Sequence, residues 1–249
     1  PFYIDLYLAP IYPMHKHNSD GSFLLDGTGN KIFDEGPLRA FNSGRNIFAE
    51  TQYNDNFTER SLFSGKSYVE VKFLKDFKFT NNFSIDLNNY RYNVFDNPIM
   101  GQGLATGGKS NRTLSTTRTI NINQLLNYNK SINKHSIDVL AGHEAYQRRY
   151  DYSFGSASGQ ILSGSTEFKN FNTILALNSY QDNYRLESYF GRAEYAFDNK
   201  YFLSTSFRRD GSSKFSQNNR WGNFWSVGAG WTISNESFFD VKPINNLKL

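Results

Sequence analysis

A two-residue rhythm runs through residues 221–233. Trp221, Trp225, Val227, Ala229, Trp231 and Ile233 stand on odd positions, and Gly222, Ser226, Gly228, Gly230 and Thr232 on even ones. Successive side chains of an extended strand point to opposite faces, so this spacing predicts one long strand, 221–234, with one apolar face. At about 3.3 Å per residue, the step from Trp221 to Trp231 covers roughly 33 Å, or about 25 Å once the strand is tilted by about 40°. That is the height of the apolar band on an outer-membrane barrel, with an aromatic residue at each rim. Such a strand is dry on one side and wet on the other, which suits a wall for transport or reception better than a catalytic scaffold.

The same rhythm predicts strands near 67–75, 78–90, 113–128, 135–147, 186–197 and 201–209. Val69, Val71 and Phe73 alternate with polar residues in the first of these, and Ile120, Ile122, Leu126 and Tyr128 in the third. Parity then constrains the turns, because a one-residue slip moves a whole apolar set to the wrong face. A three-residue break at 75–77 pairs Phe73 with Phe79. A three-residue loop at 198–200 pairs Phe197 with Tyr201 and Tyr195 with Leu203, and Asn199 tolerates the left-handed conformation such a loop needs. In that register Glu194 falls near Ser204, Arg192 near Ser206 and Phe190 near Arg208. The connections alternate between short (75–77, 130–133, 198–200) and long or medium (91–112, 148–185, 210–220). Short turns on one side and long loops on the other mark outer-membrane barrels, and a soluble β-sandwich has no reason to sort its loops this way.

Residues 1–66 show little sustained periodicity. Asp20-Gly21 and Asp26-Gly27 are turn dipeptides, and 22–26 is expected to pair with 31–33 around 27–30. The expected fold is therefore all-β: an extracellular loop region, 1–66, with a small hairpin, then an incomplete antiparallel up-and-down transmembrane β-barrel wall of about seven strands in 67–249. Residues 246–249 read as the start of a further strand, and the chain reads as an internal stretch of a longer protein.

Composition agrees. The chain has 249 residues and no cysteine, which removes disulfide frameworks and thiolate metal sites. Aromatics reach 17% while mean hydropathy is −0.61, a combination that fits strands half of whose positions are polar, joined by long loops. No apolar run approaches the ~18 residues of a transmembrane helix, which leaves spanning by strands open. The net charge of +4 is spread along the chain without a basic stripe or a recognised motif, so no nucleic-acid partner is expected.

Three motifs invite a sharper reading, and each has a plainer one. His15-Lys16-His17 has neither Cys nor a nearby His/Glu pattern to complete a metal site. The run 101–108, GQGLATGG, lacks the Gly-Lys-Ser/Thr ending of a phosphate loop. Asp20, Asp26 and Asp34 do not follow calcium-loop spacing and fit turns. No catalytic constellation stands out, so neither an enzyme nor a cofactor or metal is expected. Arg192 and Glu194 fall on the polar face of the 186–209 hairpin, and Arg208, Arg209 and Asp210 near its outer rim. These five are the candidate ligand contacts, with a wall network in a wet interior as the alternative.

From Leu125 onward the sequence resembles the barrel of SusC/RagA-type TonB-dependent transporters of the Bacteroidetes outer membrane. The resemblance rests on 124–128 (QLLNY), 139–144 (VLAGHE), 189–192 (YFGR), 198–201 (DNKY), 208–215 (RRDGSSKF), 219–226 (NRWGNFWS), 230–234 (GWTIS) and 246–249 (NLKL). Upstream, Pro1-Phe2, 9–13 (APIYP), 29–31 (GNK), Phe73-Leu74 and 77–80 (FKFT) belong to the same pattern. The resemblance implies a barrel of roughly 22 strands with a plug. It also implies a TonB system as energy source, a SusD-like surface lipoprotein as partner, an oligosaccharide or peptide as substrate, and outer-membrane lipid around the wall. No segment here matches a TonB box or plug, so the energised gate is expected of the parent protein. A passive porin and a soluble or surface carbohydrate-binding β-module are the alternatives; the module would bury the Trp face against a second sheet.

Overall fold

The period-2 segments become seven strands: β1 (Asp55–Phe73), β2 (Phe77–Asp96), β3 (Lys109–Ile132), β4 (His135–Gln160), β5 (Phe171–Phe197), β6 (Tyr201–Ser212) and β7 (Trp221–Trp231). They lie side by side in chain order in one sheet, each paired with its sequence neighbour. The structure, a computed structural model, describes residues 12–36, 39, 42–241 and 243–249. Pro1, Phe2 and residues 9–11, which carry part of the resemblance, lie outside the described residues, as does part of the loop region 1–66.

Parity holds at each tight turn. Between β1 and β2 the turn is 74–76, one residue earlier than the alternation indicated, and the rings of Phe73 and Phe77 that flank it stack at 5.5 Å. Between β3 and β4 it is the two residues 133–134, which pairs even positions with odd ones. The apolar set of β3 is even (Ile120, Ile122, Leu126) and that of β4 is odd (Ile137, Val139, Ala141), so this swap is what keeps them together. Between β5 and β6 the loop is 198–200, with Asp198 and Asn199 both at φ 53, and the register sets Phe197 opposite Tyr201, Glu194 opposite Ser204 and Phe190 opposite Arg208. The loop length read from parity fixes this register.

The strands run further than the alternation. β4 and β5 extend to 26 and 27 residues, so the stretch 148–185 is mostly strand rather than loop, and its connection shrinks to 161–170. The stretch 91–112 likewise contracts to 97–108, with a 3-10 turn at Gly101–Thr106, and 210–220 to 213–220. β1 starts at Asp55 instead of near 67, after a short helix α1 (Ile47–Tyr53), and β7 stops at Trp231, where Ile233–Asn235 forms a 3-10 turn. The reason is physical. A tilted span needs only about 9–11 residues. Beyond that length both faces meet water, and the sequence loses its alternation while the backbone ladder continues. The sorting of connections survives, with 3, 2 and 3 residues at one end of the strands against 12, 10 and 8 at the other.

Two compact units divide the chain. The first comprises Pro1–Ser61, Asn89–Thr116 and Asp151–Tyr180. In it, 15–17, 23–25 and 31–33 form a three-stranded ribbon, so the small hairpin gains a third strand. The Asp26 carboxylate accepts the Thr28 and Asn30 backbone N–H groups at 2.9 and 2.8 Å, which closes the turn and holds its pKa at about 2. Asn46 caps α1 by accepting from the N–H groups of Phe48 and Ala49, and its amide donates to the carbonyls of Met14 and Asp34. Phe95, Ala157 and Phe171 form a small core beside Phe168. Arg112 grips Glu167 bidentately at 2.7 and 2.9 Å.

The second unit, Leu62–Asn88, Thr117–Tyr150 and Gln181–Leu249, carries the two-faced wall. On its apolar face Trp225 is 77% exposed and Val227 64%, so no second protein layer covers them. Aromatic rings run across this face at two levels. At the short-turn level His135, Phe197, Tyr201 and Trp231 follow one another at 4.9, 6.4 and 6.3 Å, and Phe77 meets Tyr128 at 4.8 Å. At the other level His143, Tyr189 and Trp221 follow at 4.9 and 6.1 Å. Just past β7, Glu236 ties the lower level together by accepting from Tyr201 Oη at 2.6 Å, Lys200 Nζ at 3.0 Å and Trp231 Nε1 at 3.1 Å.

Two predictions come from this wall. Val227→Arg places a charge on the apolar face near mid-span and should destabilise the full-length protein by about 2–4 kcal/mol in a lipid-vesicle folding assay. Ser226→Arg, on the opposite face, where Ser226 meets Ser206 Oγ at 2.7 Å, should cost well under half of that, and equal losses would reject the face assignment. The second concerns Glu236, whose carboxyl is held down at about 2 by Tyr201 first, then Lys200 and Trp231. A depressed carboxyl pKa stabilises the fold above the ordinary value of 4.5, and the contribution disappears as pH falls towards 2. Glu236→Gln should lower the thermal midpoint at neutral pH, and the gap from the parent protein should close between those two values. A gap independent of pH would show that the clamp does not depend on the charge.

Candidate functional site on the polar wall

The face opposite the indoles belongs to even positions on β4, β5, β6 and β7 of the second unit. Its central row crosses three strands: Phe190 on β5 stands opposite Arg208 on β6, which stands opposite Phe224 on β7. The Arg208 guanidinium lies over the Phe190 ring, 5.3 Å from its centroid. Nε of Arg208 donates to Asp210 Oδ1 at 2.7 Å and Nη2 to Ser188 Oγ at 3.0 Å, with Glu144 Oε2 of β4 at 3.6 Å. Asn121 of β3 donates to the other Glu144 oxygen at 3.1 Å. Arg208 is thus pinned by carboxylates on two sides and by a ring below, yet 44% of its side chain stays open to solvent.

Gly142 makes this packing feasible. A Cβ there would lie 2.3 Å from the Phe190 ring, closer than any real contact. The Phe190 ring occupies the space a side chain would need, and the ring in turn sets the height of Arg208. One row down, Arg192 approaches Glu194 at 3.4 Å and Asp138 at 3.8 Å, and Ser206 and Ser226 share a hydrogen bond. These ion pairs are partly exposed, so each contributes little stability. Their yield is a wet surface of alternating charge with two rings, Phe190 and Phe224, the latter 58% exposed.

Of the five candidate residues, the structure brings Arg192, Glu194, Arg208 and Asp210 onto this face. Arg209 is turned to the other side, where its guanidinium lies 5.2 Å from the Trp221 ring. Glu144, Asp138, Ser188 and Gly142 complete the cluster and were absent from the candidates. The alternation of β4 does place Asp138 and Glu144 opposite its apolar set, but linking Glu144 to Arg208 requires the register of three strands at once.

The remaining motifs have structural explanations. His15 stacks on Phe33 at 4.9 Å and His17 leans on Phe23 at 4.8 Å. Asp20 and Asp26 close turns on Ser22 and Thr28, and Asp34 pairs with Arg39. Residues 101–106 form a 3-10 turn rather than a phosphate cradle.

A single meandering sheet with an exposed apolar face, aromatic rings at two levels and a charged opposite face is the wall of a transmembrane β-barrel. Known proteins narrow this. No protein-family model matches the chain. TonB-dependent receptor P39 of Formosa agariphila is 32% identical over 209 residues, which are 81% of this chain and 20% of that protein. TonB-dependent receptor SusC of Bacteroides thetaiotaomicron is 34% identical over 131 residues, 52% of this chain and 13% of that one. Among solved structures, the RagAB peptide transporter covers 94% of the chain, and the chain 27% of it, with a TM-score of 0.71 at 20% identity. The chain belongs to the SusC/RagA-type TonB-dependent receptors and corresponds to part of their barrel. It spans about a fifth of the length of the first curated relatives it matches, which are receptors rather than enzymes.

The packing at Gly142 is testable. Gly142→Val forces the Phe190 ring aside and should cost the full-length protein about 1–3 kcal/mol in denaturant unfolding. Adding Phe190→Ala should recover most of the loss. If the second change makes matters worse by its full separate cost, ring and glycine do not share the space.

Proposed function

We propose that this wall serves a TonB-dependent importer of oligosaccharides or peptides in the outer membrane of a Bacteroidetes-like bacterium. The region ahead of β1 and the connections 97–108, 161–170 and 213–220 face the cell exterior, where they meet the substrate and a SusD-like surface lipoprotein. The tight turns face the periplasm, and TonB acts through a segment other than this wall.

The observation that carries the reading is the polar face. Guanidiniums and carboxylates alternate there with two rings, the half-buried Phe190 and the exposed Phe224, on either side of Arg208. Such a surface offers hydrogen bonds of both senses and aromatic faces to a hydrated, uncharged chain, which suits glycan hydroxyls or peptide amides passing through a wet lumen. In this reading Arg192, Glu194, Arg208 and Asp210 meet the cargo, and Arg209 belongs to the membrane rim.

Uptake of labelled oligosaccharides and peptides by cells carrying the full-length protein tests this. Transport should stop when TonB is removed, and uptake that persists would mark a passive porin. Arg208→Ala combined with Phe224→Ala should raise the half-saturating substrate concentration by about tenfold, the equivalent of one lost charge-assisted contact. Unchanged half-saturation in a correctly folded barrel would return these residues to wall bracing.

A further inference from the structure

We propose that the apolar face of the second unit carries a binding site for the phosphate of an outer-leaflet lipid headgroup, at the level of the upper aromatic rings. The proposal rests on the reading of that face as lipid-facing. An open cleft of about 670 Å³ lies there, with Ile120, Ile122, Arg185, Glu187, Arg220 and Trp221 among its lining. Its position along the wall follows from β7, where Trp221 is the upper of the two indoles that bracket the span. Its face follows from parity, because Arg185, Glu187 and Trp221 share the odd positions of Tyr189, Trp225 and Val227.

The rim of this cleft is cationic. Arg185 and Arg220 are exposed, and among the described residues neither guanidinium meets a carboxylate. Elsewhere in this unit Arg192, Arg208, Lys200 and Lys214 are each engaged by an acidic partner. Glu187 lines the same cleft but is turned to other partners. Its carboxylate accepts the Tyr189 hydroxyl at 2.6 Å and lies 3.5 Å from His143 Nε2. His143 in turn meets Gln124 at 2.7 Å through Nδ1. Arg209, over the Trp221 ring, adds a third cation on the same face.

Two solvent-exposed guanidiniums above an apolar floor match the chemistry of a phospholipid or phosphorylated glycolipid. The phosphate takes the arginines bidentately, and the acyl chains lie down the wall past Ile120 and Ile122. A hydrophilic polymer would fit the arginines and be repelled by the floor, and an apolar chain alone would leave both charges without a partner at the interface. The indole of Trp221 and the phenol of Tyr189 sit where amphipathic rings favour a headgroup boundary.

The experiment uses the full-length protein in detergent, with diphosphoryl lipid A and its dephosphorylated counterpart as probes and bound lipid read by native mass spectrometry. The parent protein should retain the phosphorylated form, and Arg185→Gln with Arg220→Gln should retain about tenfold less, while the dephosphorylated lipid binds both weakly. Equal retention by the double variant, or equal binding of both lipids, overturns the site. Displacement of the lipid by millimolar inorganic phosphate alone would assign the arginines to a free anion and also overturn it. A separate arm tests the face: Val227→Cys carrying a polarity-sensitive dye should be quenched by brominated acyl chains in nanodiscs. Loss of quenching there would sink the lipid-facing reading itself, whereas quenching with undiminished lipid A retention would sink only the headgroup site.

Discussion

Every backbone N–H and C=O that enters hydrocarbon must find a partner within the protein, and this obligation shapes the whole chain. A strand satisfies it only by lying between two others. The simplest solution is the one seen here, in which each strand turns tightly and pairs with the one before it. The free edge of β7 is already engaged at its lower end: Trp231 and Leu249 exchange backbone hydrogen bonds at 3.1 and 2.9 Å, and Thr232 bridges to Lys248. A sheet of seven strands with open edges is untenable in lipid, so the physics demands neighbours beyond β1 and β7. Relatives about four times as long as this chain have the length to supply them.

Once pairing is fixed, parity distributes everything else. The tight turns are where parity is set, and their lengths differ because the sequences they join differ. The two-residue turn at 133–134 joins an even apolar set to an odd one, whereas the three-residue loop at 198–200 joins odd to odd. The cost is paid in conformation. Asn133, Asp198 and Asn199 take left-handed backbone, which Asn and Asp tolerate, but Leu74 and Lys75 take it too, at φ 48 and 62. At that turn the stacked rings of Phe73 and Phe77 accompany a conformation that the local residues do not favour.

This division explains what the sequence made legible. Wherever one face met lipid and the other water, alternation exposed the strand, its face and its register, down to the pairing of Phe190 with Arg208. Where strands continue into water on both sides, as β4 and β5 do beyond residues 147 and 186, nothing selects apolar residues at alternate positions. Cross-strand pairs such as Tyr152 with Tyr180, at 4.9 Å, mark the ladder instead, and they fall too far apart in sequence to be recognised. The candidate site divides along similar lines. Arg192, Glu194, Arg208 and Asp210 lie within one hairpin whose register was accessible. Glu144 and Gly142 reach the same cluster from a strand about 50 residues earlier, through a turn whose exact length decides which face they share.

Arg208 and Arg209 show most clearly how little residue type decides by itself. They are adjacent and chemically identical, and both lie over an aromatic ring. One is surrounded by Asp210, Glu144 and Ser188 on the charged wall, and the other sits over Trp221 at the level where the apolar face meets its upper rings. A strand gives consecutive residues opposite solvents. The guanidinium on the wet side keeps its charge among carboxylates and water. On the apolar side Arg209 makes no salt bridge among the described residues, and its guanidinium rests over the Trp221 ring. The same reasoning extends to Arg185, on the odd parity of Arg209. A cationic side chain on the dry face of a barrel is stable only near the headgroups, so its height on the wall and the carboxylates it does or does not touch together define what it can bind.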